Sequence, residues 1–186
     1  MRILPEKNIL DEFCEEFVRV TEKHAKYIVV SGFLAISSGR SRSTEDIDMI
    51  IERLDSRKFA NLHQDLVKNG FICMQSDDSK EIFEYLIDNL SVCYTKTDSP
   101  LPEMEVKFAK DPIDEYQLNT RMKIPLTGLD VFFSDININI AFKEHLLKSD
   151  KDLKDAEHLR KVYPESVNES EIKRVSKMID KYRIPK

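Results

Sequence analysis

Apolar residues recur along this chain with two periods, and the switches between them mark out the elements. Ile9, Phe13, Phe17 and Val20 fall at helical spacing and predict an amphipathic helix over residues 8–26. It leads into Tyr27-Ile28-Val29-Val30, an aromatic and β-branched run that favours a strand. Ser31-Gly32 ends that strand in a tight turn where a backbone without a Cβ is needed, and a short helix over residues 33–38 follows. Asp46-Ile47-Asp48-Met49-Ile50-Ile51 has the period of a strand, with both aspartates on one face and Ile47, Met49 and Ile51 on the other. Ser56 reads as the N-cap of a helix carrying Phe59, Leu62, Leu66 and Val67, with Asn69-Gly70 as its stop.

Beyond it, residues 71–74 read as a strand, residues 79–86 as a helix, and residues 91–95 and 104–108 as two strands joined by a Pro-rich turn at residues 98–102. A strand or hairpin follows over residues 122–133, then three helices near residues 135–148, 150–163 and 168–181. The order predicts an α/β (α+β) fold, a mixed β-sheet flanked by helices with a C-terminal helical portion. We divide it into an α/β core over residues 1–134 and a helical segment over residues 135–186 packed on that core. No repeat or Gly/Ser linker separates the two.

Composition narrows the setting more than the chemistry. At 186 residues the chain can bury a real core without staples. Cys14, Cys73 and Cys93 are odd in number and widely spaced in apolar contexts, which predicts buried reduced thiols and a cytoplasmic protein. No run approaches the roughly 20 apolar residues of a membrane span, so no membrane partner is expected. With 34% charged residues and a net charge of −5 there is no global basic field for nonspecific nucleic-acid binding. Residues 141–186 nevertheless carry 12 Lys and Arg against 9 Asp and Glu, so the acidic excess lies on the first 140.

Against that background the Asp46/Asp48 pair carries the strongest chemical signal. Two carboxylates converging on one small volume repel each other unless a cation lies between them, and Mg²⁺ takes one or two carboxylates together with substrate phosphates. The same pair also suits the solvent face of an edge strand. Glu105 alternates with Met104, Val106 and Phe108 and can stand beside the aspartates as a third acid, either an ordinary surface glutamate or the group that assists an attacking hydroxyl. Lys143 falls on the apolar stripe Ile136, Ile140, Leu147, so it either snorkels or meets an anion. Asp155 borders the apolar face of its helix, where it can orient Lys143 or add to the metal site. Arg40 and Arg42 lie with Ser41, Ser43 and Thr44 in the loop between the turn and the acids, and guanidinium forks match phosphate geometry. His24, His63, His145 and His158 lack ligand spacing. There is neither a G-x-x-x-x-G-K-[ST] loop nor a G-x-S-x-G elbow.

Taken together, VVSGFLAISSGRSRSTEDIDMII resembles the signature of the DNA polymerase β-like nucleotidyltransferase superfamily, in which a glycine-serine or glycine-glycine turn precedes a D-x-[DE] pair. NIAFKEHLLKSDKDLKDAEHL is similar to the K…KDxxDA segment of AbiEii-type and related minimal nucleotidyltransferases, known mainly as bacterial and archaeal toxin-like proteins. The two likenesses span residues 27–52 and 136–160. They imply the nucleotidyltransferase fold, with Mg²⁺ (or Mn²⁺) and an NTP held at Asp46 and Asp48 and joined by Glu105. Ser31 and Gly32 are implied at the triphosphate, and Lys143 and Asp155 as the downstream Lys and Asp. The turn here reads Ser-Gly, and the third acid is a glutamate where an aspartate is more usual. The implied activity is transfer of an NMP to a hydroxyl on RNA (tRNA included), a protein or a small molecule, in a toxin-like setting with an antitoxin partner. The alternatives are a noncatalytic member that binds nucleotide or a partner, and a metal-dependent phosphodiesterase or phosphatase.

Overall fold

The computed structural model describes residues 7–42, 44 and 46–184; Ser43, one of the loop hydroxyls, lies outside them. Asn8 caps helix α1 (Ile9–Thr21) through a reciprocal pair of bonds with Asp11, and Phe13, Phe17 and Val20 face inward as the spacing predicts. Ile9, in the first turn of the same stripe, stays exposed. Strand β1 (Tyr27–Val30) follows, then the short helix α2 (Gly32–Ser37) and strand β2 (Asp46–Ile51). Helix α3 (Ser56–Lys68) is capped by Asp55, one residue before the predicted Ser56, because the Asp55 carboxylate accepts from the Lys58 N–H at 2.8 Å. It stops at Asn69-Gly70 as expected, with Gly70 at φ 81°.

Strand β3 (Phe71–Cys73) and helix α4 (Ser79–Ile87) precede the hairpin of β4 (Val92–Lys96) and β5 (Ser99–Phe108). The expected turn at residues 98–102 is shorter than its prolines suggested, since β5 begins at Ser99 and runs through Pro102. Thr95 Oγ1 reaches back to the Ser99 and Pro102 carbonyls, and the register between the two strands shifts there, so a local irregularity accommodates the proline's missing donor. Helix α5 (Pro112–Asn119) leads to the predicted hairpin, made of β6 (Met122–Lys123) and β7 (Phe132–Phe133).

These strands form one mixed sheet in the order β3-β4-β5-β2-β1-β7-β6, with β5 parallel to β2, β2 antiparallel to β1, and β1 parallel to β7. The main core includes Phe13 and Phe17 of α1, Phe59 and Leu62 of α3, and Ile82 and Leu86 of α4, with Ile47, Met49, Ile51 and Val106 of the sheet. A smaller cluster of Ile28, Ile50, Ala109 and Leu118, with Val30 against it, lies toward α5 on the face that carries the acids. Helix α6 (Ile136–Ala141) runs directly into a π-helical segment, Phe142–Leu147, before α7 (Asp150–Val162) and α8 (Glu169–Tyr182). Helix α7 contacts α2 and α6, and α8 contacts α5 and α6, which brings these helices beside the turn that follows β1. Among the described residues no helix is long and apolar enough to cross a membrane.

Candidate functional site

The period-two reading of β2 holds. Ile47, Met49 and Ile51 are buried, while Asp46 is exposed and Asp48 only partly covered. The parallel register sets Asp48 opposite Glu105 and Asp46 opposite Glu103, so the sheet brings the three predicted acids to one face and adds a fourth. Across β4, Cys93 stands opposite Glu105. Cys14 and Cys73 are buried free thiols as expected; Cys93 differs, being only partly covered and close to these acids.

Burial pushes the Asp48 carboxyl above its ordinary value, and Glu105 and Asp46 push it the same way. Lys107 and a hydrogen bond from the Ser31 hydroxyl pull it back. That excess of negative charge, with oxygen donors on adjacent strands, suits a hard divalent cation that completes its shell from a substrate. Among the described residues no group of three His, Cys, Asp or Glu side chains is placed to hold a metal ion together.

The Ser-Gly turn needs a residue without a Cβ, as its sequence suggests, and divides its demands between the two positions. Ser31 takes the unusual backbone, at φ 68° and ψ −136°, a region that costs a non-glycine residue about 1–3 kcal/mol. Gly32 is needed for another reason: a Cβ there would come within 2.8–2.9 Å of the Arg42 guanidinium, which lies over it. The strained serine points its hydroxyl at Asp48, and the glycine lets an arginine approach the same place.

Asp155 is fully buried and gathers the cations. Lys143 Nζ donates to its Oδ2 at 2.9 Å and reaches Asp152 Oδ1 at 3.4 Å, while Arg40 and Arg42 pair with its two oxygens. Of the two roles open to Asp155, the structure places it on Lys143 and the arginines, and no contact joins it to the acids. Burial lowers the Lys143 and Arg42 pKa values, and Arg40 lowers both further. Among the described residues Arg42 Nε is buried without a hydrogen-bond partner. Three cations against Asp155 and Asp152 leave a surplus of positive charge beside the acids. Lys143 is in the π-helical segment, a distortion often found at functional sites.

A cavity of about 250 Å³ joins the two halves; Ser31, Asp48 and Lys143 line it. Its walls also hold residues that the sequence did not single out. Lys107 lies two positions beyond Glu105 on the same strand face. Asp114 and Gln117 of α5 and Asn139 of α6 also line it, as does Arg183, whose Nη2 is 2.6 Å from Asp114 Oδ1 and 3.2 Å from Asp111 Oδ1. The alternation of β5 was the one signal that could have found Lys107; the others are adjacent only in space.

Several solved structures resemble this architecture, and two of them illustrate it. One is the antibiotic-resistance factor ANT(2'')-Ia in solution, with a TM-score of 0.56 at 10% identity over 92% of this chain and 91% of that one. The other is an antigenic nucleotidyltransferase-like protein from Paracoccidioides brasiliensis, with a TM-score of 0.52 at 17% identity over 92% and 87%. The fold is that of the nucleotidyltransferases. No protein-family model matches the chain, and no curated protein matches its sequence. Within the nucleotidyltransferase fold, the acids occupy neighbouring central strands and the cation cluster comes from the loop 39–42 and the helices after β7.

Proposed function

We propose that this chain is a metal-dependent nucleotidyltransferase. The observation that carries the reading is the register of Asp48 against Glu105, at a cavity that Asp48 and Lys143 of the Asp155 cluster both line. Asp46 and Asp48 would hold Mg²⁺, or Mn²⁺ in its place, together with oxygens of an NTP, and the ion would neutralise phosphate charge and lower the pKa of the acceptor hydroxyl. Glu105 accepts the proton of that hydroxyl. The hydroxyl oxygen forms a bond to the α-phosphorus as the bond to the bridging α–β oxygen breaks, and pyrophosphate leaves with the electron pair. Lys143, Arg40 and Arg42 balance phosphate charge, and Ser31 and Gly32 border the triphosphate.

The acceptor is a hydroxyl on RNA, a protein or a small molecule. The likeness of residues 136–160 to AbiEii-type sequences supports a toxin-like member with an antitoxin partner in the cytoplasm, and a core over residues 1–134 that borrows Lys143 and Asp155 from the helical segment after it. A noncatalytic nucleotide-binding member is the second reading, favoured by the commitment of both loop arginines to Asp155. Calorimetric titration of the four NTPs with Mg²⁺ into wild type and an Asp46→Ala/Asp48→Ala variant tests the site. Binding that needs both metal and aspartates is expected; equal binding by the variant would remove the mechanism. Labelled NMP transfer to candidate acceptors then separates the two readings.

A further inference from the structure

Three cations line the cavity, and two of them are committed. Lys143 closes on Asp155 and Asp152, and Arg183 closes on Asp111 and Asp114. Lys107 is the exception: among the described residues its side chain forms no ion pair and no hydrogen bond, although it is partly buried and lines the same cavity as Asp48. Strand geometry explains both facts. The parallel register sets Asp48 opposite Glu105 and Ile50 opposite Lys107, so Lys107 shares the acids' face one alternation further along, beside an apolar neighbour. Its ammonium therefore feels Asp48 without closing on it.

A partly buried ammonium that no described protein group engages is open to an anionic ligand in the cavity it lines. A lysine beside acids that bind a cation also competes with that cation. That competition is offset when the ligand brings positive and negative charge together, as a metal-complexed polyphosphate does. Resting on the nucleotidyltransferase reading, we infer that Lys107 is a phosphate-binding residue of this site, its ammonium donating to a non-bridging phosphate oxygen of the bound nucleotide beside Asp48. A neutral sugar or base would leave the charge unanswered.

The assignment makes two predictions of opposite sign for Lys107→Met. Affinity for Mg²⁺-NTP falls about tenfold, the range of one charge-assisted hydrogen bond. Affinity for Mn²⁺ alone rises, because a repelling charge has gone. Lys107→Arg recovers most of the nucleotide affinity. Calorimetry of wild type and both variants with Mn²⁺ alone, and with Mg²⁺ and each NTP, reads all of these, with ligand-free thermal unfolding as the check on folding. Unchanged nucleotide affinity in Lys107→Met, or a loss of affinity for both probes together, would overturn the role of Lys107 and leave the nucleotidyltransferase reading standing. Absence of NTP binding by wild type would overturn that reading itself, and this assignment with it.

Discussion

Asp48 and Asp155 are both carboxylates close to one cavity, yet Asp48 looks toward two other acids while Asp155 is enclosed by Lys143, Arg40 and Arg42. The first is a charge the folded chain does not balance, left for a ligand to answer. The second is a charge the chain spends on holding its own cations in place. A site of this kind keeps its cationic half organised before substrate arrives and leaves its acidic half to be completed by metal and phosphate, which concentrates the reorganisation on one side. The two halves should therefore respond to mutation in opposite directions.

The largest effect is expected for Asp155→Ala. It strands a fully buried lysine and two arginines without their shared anion, and breaking a buried pair in this way costs about 3–5 kcal/mol. Urea denaturation should show that loss; a cost below about 1 kcal/mol would mean that the cluster is solvated and the contrast between the halves unreal.

On the acid side, Asp48→Asn should do the reverse, stabilising the protein near neutral pH while abolishing metal-dependent nucleotide binding. The sign follows from the raised carboxyl. A folded-state value above the ordinary 3.8 favours folding while the group is protonated, and that contribution is lost as pH rises from 3.8 through the raised value. The stability gap between variant and wild type should open across that interval and stay open above it. Denaturation curves at several pH values check this, and a gap independent of pH would assign the effect elsewhere.

Gly32→Ala sharpens the comparison at the join between the halves. Its methyl group would meet the Arg42 guanidinium, the movable end of a long side chain, so the arginine gives way at a cost on the order of 1 kcal/mol. Nucleotide affinity should fall while thermal stability changes little. Ser31→Gly is expected to have the smallest net effect: it relieves the positive φ and loses the hydrogen bond to Asp48, two changes of opposite sign that leave stability within about 1 kcal/mol of wild type. A larger loss in thermal unfolding would mean that the hydroxyl, rather than the backbone, holds this turn.

The acids were legible because a strand converts spacing into direction: Asp46, Asp48 and Glu105 each alternate with buried apolar residues, and that alternation fixes their face wherever the strand lies. Lys143 was legible as an anomaly on an apolar stripe, although its segment is a π-helix that the stripe did not announce. Arg40 and Arg42 were placed near the site by chain proximity, but their shared partner more than 110 residues away was not readable. The need for a residue without a Cβ at Ser31-Gly32 was legible, but not that Ser31 takes the positive φ while Gly32 makes room for Arg42, since spacing shows that a turn needs special residues but not which one bends and which one yields space.

The sequence by itself determined the order of elements, the period-two face of the acids and the likeness to the nucleotidyltransferases, because these depend on local propensity and on residues close together in the chain. Only the tertiary structure decided that Glu105 faces Asp48, that Asp155 serves the cations, and that the Lys107 side chain, unpaired among the described residues, lines the same cavity as Asp114, Gln117, Asn139 and Arg183. Those facts depend on the parallel pairing of β2 with β5 and on helices α5 to α8 meeting beside the sheet. Such long-range contacts follow from burial of the whole chain and leave no periodic mark on the residues that make them.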